Sequence, residues 1–265
     1  MLISASPPTQ PIAWQPWSDD VWAQARHEHK FVLLDLGTQW CHWCHVMDEQ
    51  TYADAEVANL IHQKFIPVRA DADGRPDLAN RYEDYGWPAT VVFNAAGGEI
   101  VKRRGFLSPA EMTSMLRAII ADPTPGPSVE PPRQVRFTDQ NALSDESRST
   151  LRGRLVQTYD SDKGSWGHVQ KYLDWDSVEF CLREAARGDR QAQQMARQTL
   201  AAQLNLLDPA WGGVYQYSTD GDWLHPHFEK IMQMQAQNLR IYALAYAQWH
   251  DASYLNTAQA IHRFL

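Results

Sequence analysis

Cysteine is scarce, with three in 265 residues. That is too few for a disulfide scaffold, and two of the three lie too close together to staple distant segments. Positive charge is also short: 24 Lys and Arg stand against 32 Asp and Glu, for a net charge of −8. This balance argues against a general affinity for nucleic acid or for anionic membrane surfaces. No apolar run approaches the roughly 18 residues of a membrane span. The first residues, MLISASPPTQPIAW, carry neither a basic nor an apolar leader region, so no signal peptide is visible. A soluble protein is expected, with the cytoplasm favoured over the periplasm or secretion. P-loop and G-x-G-x-x-G motifs are missing, which leaves nucleotide binding without support.

The chain is otherwise that of a folded protein, 44% hydrophobic and 21% charged. Its break falls at ADPTPGPSVEPPRQ, residues 121–134, whose prolines can neither hold a helix nor join a central strand. Before it the pattern is mixed. SDDVWAQARHEHK reads as a helix capped by Ser18, FVLLDLG as a buried strand, and CHVMDEQTYADAEVANLIHQKF as a helix broken near Tyr52. FIPVRADAD reads as a strand and RPDLANRYEDYG as a helix. ATVVFNAAGGEIVKRRG gives two strands around a turn at Ala96, Gly97 and Gly98. SPAEMTSMLRAII closes as a helix with Ser108 as N-cap, Pro109 at N1 and Glu111 at N3. The expected product is a small mixed sheet with helices on both faces.

After the break, helical periodicity dominates, over roughly residues 139–159, 174–186, 189–207, 228–250 and 253–265. The chain stops within an amphipathic pattern that has no stop signal, so a fragment of a larger helical domain is expected. Cys181 falls on the apolar face of one of these helices and reads as an ordinary buried thiol.

Cys41-His42-Trp43-Cys44-His45 admits three chemistries. A redox dithiol needs an exposed thiolate of lowered pKa and a second thiol within reach, which a C-x-x-C between a strand and a helix start supplies. A zinc site would need a second pair of ligands, and no further C-x-x-C or H-x3-H occurs. A c-type haem would use His45 as axial ligand, but would leave the preceding strand and the downstream Trp-Pro hairpin unexplained.

LLDLGTQWCHWC resembles the thioredoxin superfamily, as does YEDYGWPATVVFNAAGGEIVKRRGFLSPAEM, over roughly residues 14–120. The CHWCHVM motif is similar to that of thioredoxin-like proteins fused to a six-hairpin (α/α)6 toroid, the spermatogenesis-associated thioredoxin-like family and its bacterial relatives. VRADADGRPDL, GSWGHVQKYL and GGVYQYSTDGDWLHPHFEKIM carry the same resemblance. It implies an α/β thioredoxin-like domain over residues 1–122, a proline-rich linker over 123–135, and an all-α region over 136–265 that is part of an incomplete toroid. It implies a thiol–disulfide oxidoreductase in which Cys41 attacks and Cys44 resolves. Asp35 matches the buried acid that assists Cys44, and Pro88, after Trp87, matches a cis-proline facing the dithiol. Trp40 matches the tryptophan before the first cysteine, and Asp48 and Glu49 the acids that follow the motif.

The His42-Trp43 pair departs from the usual Gly-Pro; a protonated His42 would favour the Cys41 thiolate. The segment between the RPD loop and Trp87 is also shorter than the family's. No cofactor and no metal are expected. The partners implied are a protein or small-thiol disulfide and an unidentified redox partner. The alternative is a carbohydrate-binding or sugar-processing toroid with a regulatory dithiol, for which His227 and Glu229 are the candidates. For a toroid lacking most of its hairpins, the favoured reading of the two residues is as caps pinning a helix N-terminus behind Pro226.

Overall fold

Two almost wholly apolar runs form the centre of a sheet: β2 (Phe31–Gly37) and β4 (Ala89–Phe93). The computed structural model describes residues 11–83, 86–129 and 142–265. It divides into two compact units, Met1–Arg136 and Phe137–Leu265.

In the first unit β2 runs parallel to β3 (Phe65–Asp71) and antiparallel to β4, which pairs with β5 (Glu99–Arg104). A two-residue edge strand, β1 (Gln15–Pro16), adds to β3 and completes the order β1-β3-β2-β4-β5. The sequence pattern did not announce β1, because two residues between tryptophans carry no periodicity.

Successive strand residues point to opposite faces. Val32, Leu34 and Leu36 pack with Val21 and Ala25 of α1 (Asp20–Glu28) and with Leu78 and Tyr82 of α4 (Pro76–Tyr82). Leu33 faces the other side, toward Met47, Val57, Ile61, Met112 and Leu116. These belong to α2 (His42–Met47), α3 (Ala55–Lys64) and α5 (Pro109–Ala121). Asp35, two residues on from Leu33, therefore shares the face of the cysteine helix.

The break expected near Tyr52 is a π-turn, Asp48–Tyr52, after which Asp54 caps α3 by accepting from Glu56 N and Val57 N. The cap expected at Ser18 is absent: α1 starts from Asp19, which makes no side-chain capping bond. At α5 the capping box is complete, Glu111 Oε2 accepting from Ser108 N at 2.9 Å and Ser108 Oγ accepting from Glu111 N at 3.4 Å. Ser108→Ala is expected to cost about 1 kcal/mol, readable as a lowered urea midpoint. Of the proposed linker, residues 130–135 lie outside the described residues. Its beginning runs along the outer edge of β5, with Gly126 N donating to Ile100 O and Lys102 N to Ser128 Oγ.

The second unit comprises α6 (Asp145–Gln157), α7 (Trp175–Ala186), α8 (Arg190–Gln203), α9 (Met232–Trp249) and α10 (Ala252–Phe264). A short 3₁₀ turn follows α8, and a two-stranded pair, β6 (Tyr217–Ser218) and β7 (Pro226–His227), precedes α9. Helix α7 packs on α8, and α9 on α10.

Each helical pair is entered through the same polar device. Asp160 accepts the N–H groups of Asp162 and Lys163, and the buried Lys171 ammonium donates to Asp160 at 2.6 Å and to Gly167 O at 2.5 Å. Asp208 likewise accepts from Ala210 N and Trp211 N, and Lys230 donates to Asp208 at 2.5 Å and to Gly212 O at 2.7 Å. In both, the carbonyl belongs to a glycine that follows a tryptophan, Trp166 or Trp211. Gly212 is required in its place: its φ is 74°, and a Cβ there would sit 2.1 Å from Ala260 O. Cys181 is buried and free, and burial pushes its thiol up to about 12.

The fourth helix was placed from residue 228, with His227 and Glu229 as its caps. The helix begins at Met232, and its N-cap residue Ile231 makes no side-chain capping bond. His227 instead lies on β7, stacked on Tyr217 with ring centroids 4.4 Å apart.

Candidate active site

The loop that leaves β2 brings Cys41 to the N-cap of α2, in extended conformation (φ −80°, ψ 104°). Cys41 N donates to Thr38 O, and the N–H groups of Cys44 and His45 return to Cys41 O. One helical turn sets Cys44 beneath Cys41, and the two are joined as a disulfide with Cα atoms 5.2 Å apart. Cys44 N also donates to Cys41 Sγ at 3.1 Å, a donor that favours negative charge on that sulfur once the bond is reduced. Gly37 backs the pair, since a Cβ at that position would approach Cys44 Sγ to 2.8 Å. In the disulfide form Cys41 is 5% exposed while Cys44 is half-buried.

Trp40 is fixed by its indole N–H, which donates to Asp73 Oδ2 at 2.8 Å. His42 and Trp43 are both exposed, and the Trp43 ring lies against those of His42 and Phe106 at 5.4 and 5.8 Å. The Trp87–Pro88 peptide bond is cis. Pro88 immediately precedes Ala89, the strand partner of Leu36, and so stands where β2 gives way to the cysteine loop. The Trp87 ring is directed away from that face, against the cluster under α1 and α4. His45 meets Gln39 O at 2.8 Å and His62 meets Pro11 O at 3.3 Å.

Behind Cys44 is a polar pocket that the sequence showed only in part. Sheet register sets Asp35 between Arg69 of β3 and Thr90 of β4. Arg69 Nε donates to Asp35 Oδ2 at 2.8 Å, and its two terminal nitrogens donate to the Asp48 carboxylate. The guanidinium also lies over the Trp14 ring, 4.3 Å from its centroid. A cavity of about 240 Å³ is lined by Asp35, Cys44, His45, Asp48, Arg69 and Asp71 among others.

Burial pushes the Asp35 carboxyl up to about 6 against the pull of Arg69, and the Asp48 charge adds to the rise. Burial opposes the charge on Arg69 too, but the two carboxylates outweigh it and hold the guanidinium above its ordinary value. The Tyr52 phenol is raised by burial and by Asp35. Asp35 is thus a carboxyl poised near neutral pH beside the second cysteine, the condition general acid–base work demands.

Arg69 and Tyr52 were not singled out as site residues. The signal for Arg69 is a lone charge at a strand-interior position of FIPVRAD. His227 and Glu229 belong to the second unit, with Nδ1 and Oε2 3.9 Å apart. Among the described residues there is no cluster of three or more His, Cys, Asp or Glu that could hold a metal, and no helix long and apolar enough to cross a membrane.

Residues 5–119 match the family model described as "Thioredox_DsbH: Protein of unknown function, DUF255". Spermatogenesis-associated protein 20 of Rattus norvegicus is 26% identical over 289 residues, covering 96% of this chain and 37% of its own length. The chain therefore spans little more than a third of that relative. "Thiol:disulfide interchange protein DsbD" of Colwellia psychrerythraea is 27% identical over 107 residues, 38% of this chain and 18% of that protein. Among solved structures, a thioredoxin from Thermus thermophilus covers 42% of this chain and 88% of its own, with 23% identity and a TM-score of 0.38.

Proposed function

We propose, from a first unit that is a thioredoxin-like domain of the DsbH type, that the protein exchanges disulfides with a protein or small-thiol substrate through Cys41 and Cys44. The observation that carries this reading is the disulfide-bonded pair at the start of α2, with a buried carboxyl of near-neutral pKa sharing the cavity of Cys44. The relatives named for thiol–disulfide interchange support the same class of chemistry.

In the reduced protein the Cys41 thiolate attacks one sulfur of a substrate disulfide; a Cys41–substrate bond forms, and the other substrate sulfur leaves as a thiolate and is protonated. Cys44 then gives its proton to the Asp35 carboxylate and attacks Cys41 Sγ. The mixed disulfide breaks, the second substrate thiolate leaves, and Asp35 returns the proton. Two electrons pass from the dithiol to the substrate, and the reverse sequence oxidises substrate thiols. Exposed Trp43, with Phe106 against it, offers an apolar rim beside the sulfurs on which a peptide can rest.

The test is equilibration of the pair against glutathione. A reversible two-electron couple between about −270 and about −120 mV is expected, and it should vanish in Cys41→Ser. A pair that never closes into an intramolecular disulfide at any poise would sink the proposal.

A further inference from the structure

Asp35 does not have Arg69 to itself. The guanidinium spends Nε on Asp35 and both terminal nitrogens on Asp48. Asp48 opens the π-turn and Tyr52 closes it, so a single irregular turn delivers an anion to one side of Arg69 and a phenol to the buried acid. A π-turn within a helical run is costly and recurs at functional sites. Here it is anchored from below, Thr51 Oγ1 donating to Leu107 O at 2.5 Å. The hydroxyls of Tyr52 and Thr90, both buried, border Asp35, and neither makes a hydrogen bond of normal geometry among the described residues. The charged and titratable groups around the acid are therefore Arg69 from β3, Asp48 and Tyr52 from the π-turn, Cys44 and His45 from α2, and Asp71 at the end of β3.

We propose that Asp48 is a positioning residue for the exchange reaction: by holding Arg69 as a shared partner, it keeps Asp35 able both to take the Cys44 proton and to return it. Were Arg69 paired with Asp35 alone, the carboxylate would be fully neutralised by its cation and a weaker base toward the thiol. Asp48 divides the cation's attention and adds a like charge nearby, and both effects favour the protonated acid. Asp48 lines the outer part of the cavity, its side chain 41% exposed against 10% for Asp35. The inference rests on the relay role proposed for Asp35, and the experiment separates the two.

Reduced wild type, Asp48→Asn, Asp48→Glu and Asp35→Asn would each be mixed with glutathione disulfide. Decay of the mixed disulfide would be followed by acid quench and mass spectrometry on both sides of pH 6. In the wild type the resolving rate should rise through the Asp35 titration near 6. In Asp48→Asn the midpoint should move to lower pH, making resolution about 3- to 10-fold faster a pH unit below the wild-type midpoint. The plateau at high pH should fall, because a more acidic carboxyl is a weaker base. The two profiles should cross, which a loss of packing would not produce, and Asp48→Glu should restore the wild-type curve. Superimposable profiles for Asp48→Asn and wild type would overturn the role of Asp48. An inflection that persists in Asp35→Asn would instead overturn the relay itself. Asn keeps the shape of a half-exposed side chain, so the variant is expected to fold as the wild type does, with the same circular-dichroism spectrum.

Discussion

Cys44→Ala is expected to leave the protein covalently attached to the disulfide that Cys41 attacks. Without a second thiol the mixed disulfide has no internal route to resolution, so turnover should fall at least about 1000-fold, the scale on which removal of a reacting group acts. The adduct should accumulate to about one equivalent. Mass spectrometry after mixing with glutathione disulfide would show one added glutathione on Cys44→Ala and none on Cys41→Ala. The assignment of roles is open to direct contradiction. Cys41 is proposed as the attacking sulfur because Cys44 N–H points at it, and Cys44 as the resolving one because it shares a cavity with Asp35. Yet in the disulfide form Cys41 is the more covered of the two. If Cys41→Ala trapped the adduct and Cys44→Ala did not, access would have won over electrostatics and the order of attack would be reversed.

What could be read from the sequence followed from the range of the forces involved. Apolar runs of strand length, FVLLDLG and ATVVF, specify buried strands locally and became β2 and β4. The Ser108-Pro109-x-Glu111 pattern specifies a helix start through bonds that span three residues. The cis bond at Pro88 followed from resemblance, since no local rule distinguishes a cis from a trans X-Pro. The partner of Asp35 was beyond reach because it depends on register: Arg69 is 34 residues away and opposite Asp35 only because β2 and β3 pair in one alignment. The lysine clamps of the second unit escaped for the same reason. Lys171 and Lys230 are 11 and 22 residues from their aspartates, separated by loops of different length, so no fixed period marks them. The helix expected from residue 228 starts at Met232 instead, and His227 lies ahead of it on β7, where Tyr217 is its strand partner.

Asp35→Asn is expected to make the protein more stable at pH 7 and slower at resolving its mixed disulfide. The stability half follows from the titration alone. Burial places the folded-state carboxyl at about 6, against 3.8 for an ordinary aspartate. The folded protein therefore holds this proton more tightly than the unfolded chain does. The stability so gained is complete below 3.8 and is lost as pH rises through about 6. Each pH unit in that window costs about 1.4 kcal/mol, so by pH 7 the wild type has given up about 3 kcal/mol. Asparagine has the same shape and no proton to lose. The value of about 6 already includes the attraction of Arg69 for the carboxylate. The variant should therefore be about 3 kcal/mol more stable than wild type at pH 7, the difference vanishing below about pH 4, where the wild-type side chain is neutral in both the folded and the unfolded chain. Urea unfolding of the two oxidised proteins at the two pH values measures it. A variant less stable than wild type at pH 7 would mean that the Arg69 pair outweighs the cost of burial. In that case the acid would sit well below 6, ionised throughout the physiological range. Its service to Cys44 would then be as a fixed charge, because a carboxyl that never takes up a proton cannot pass one on.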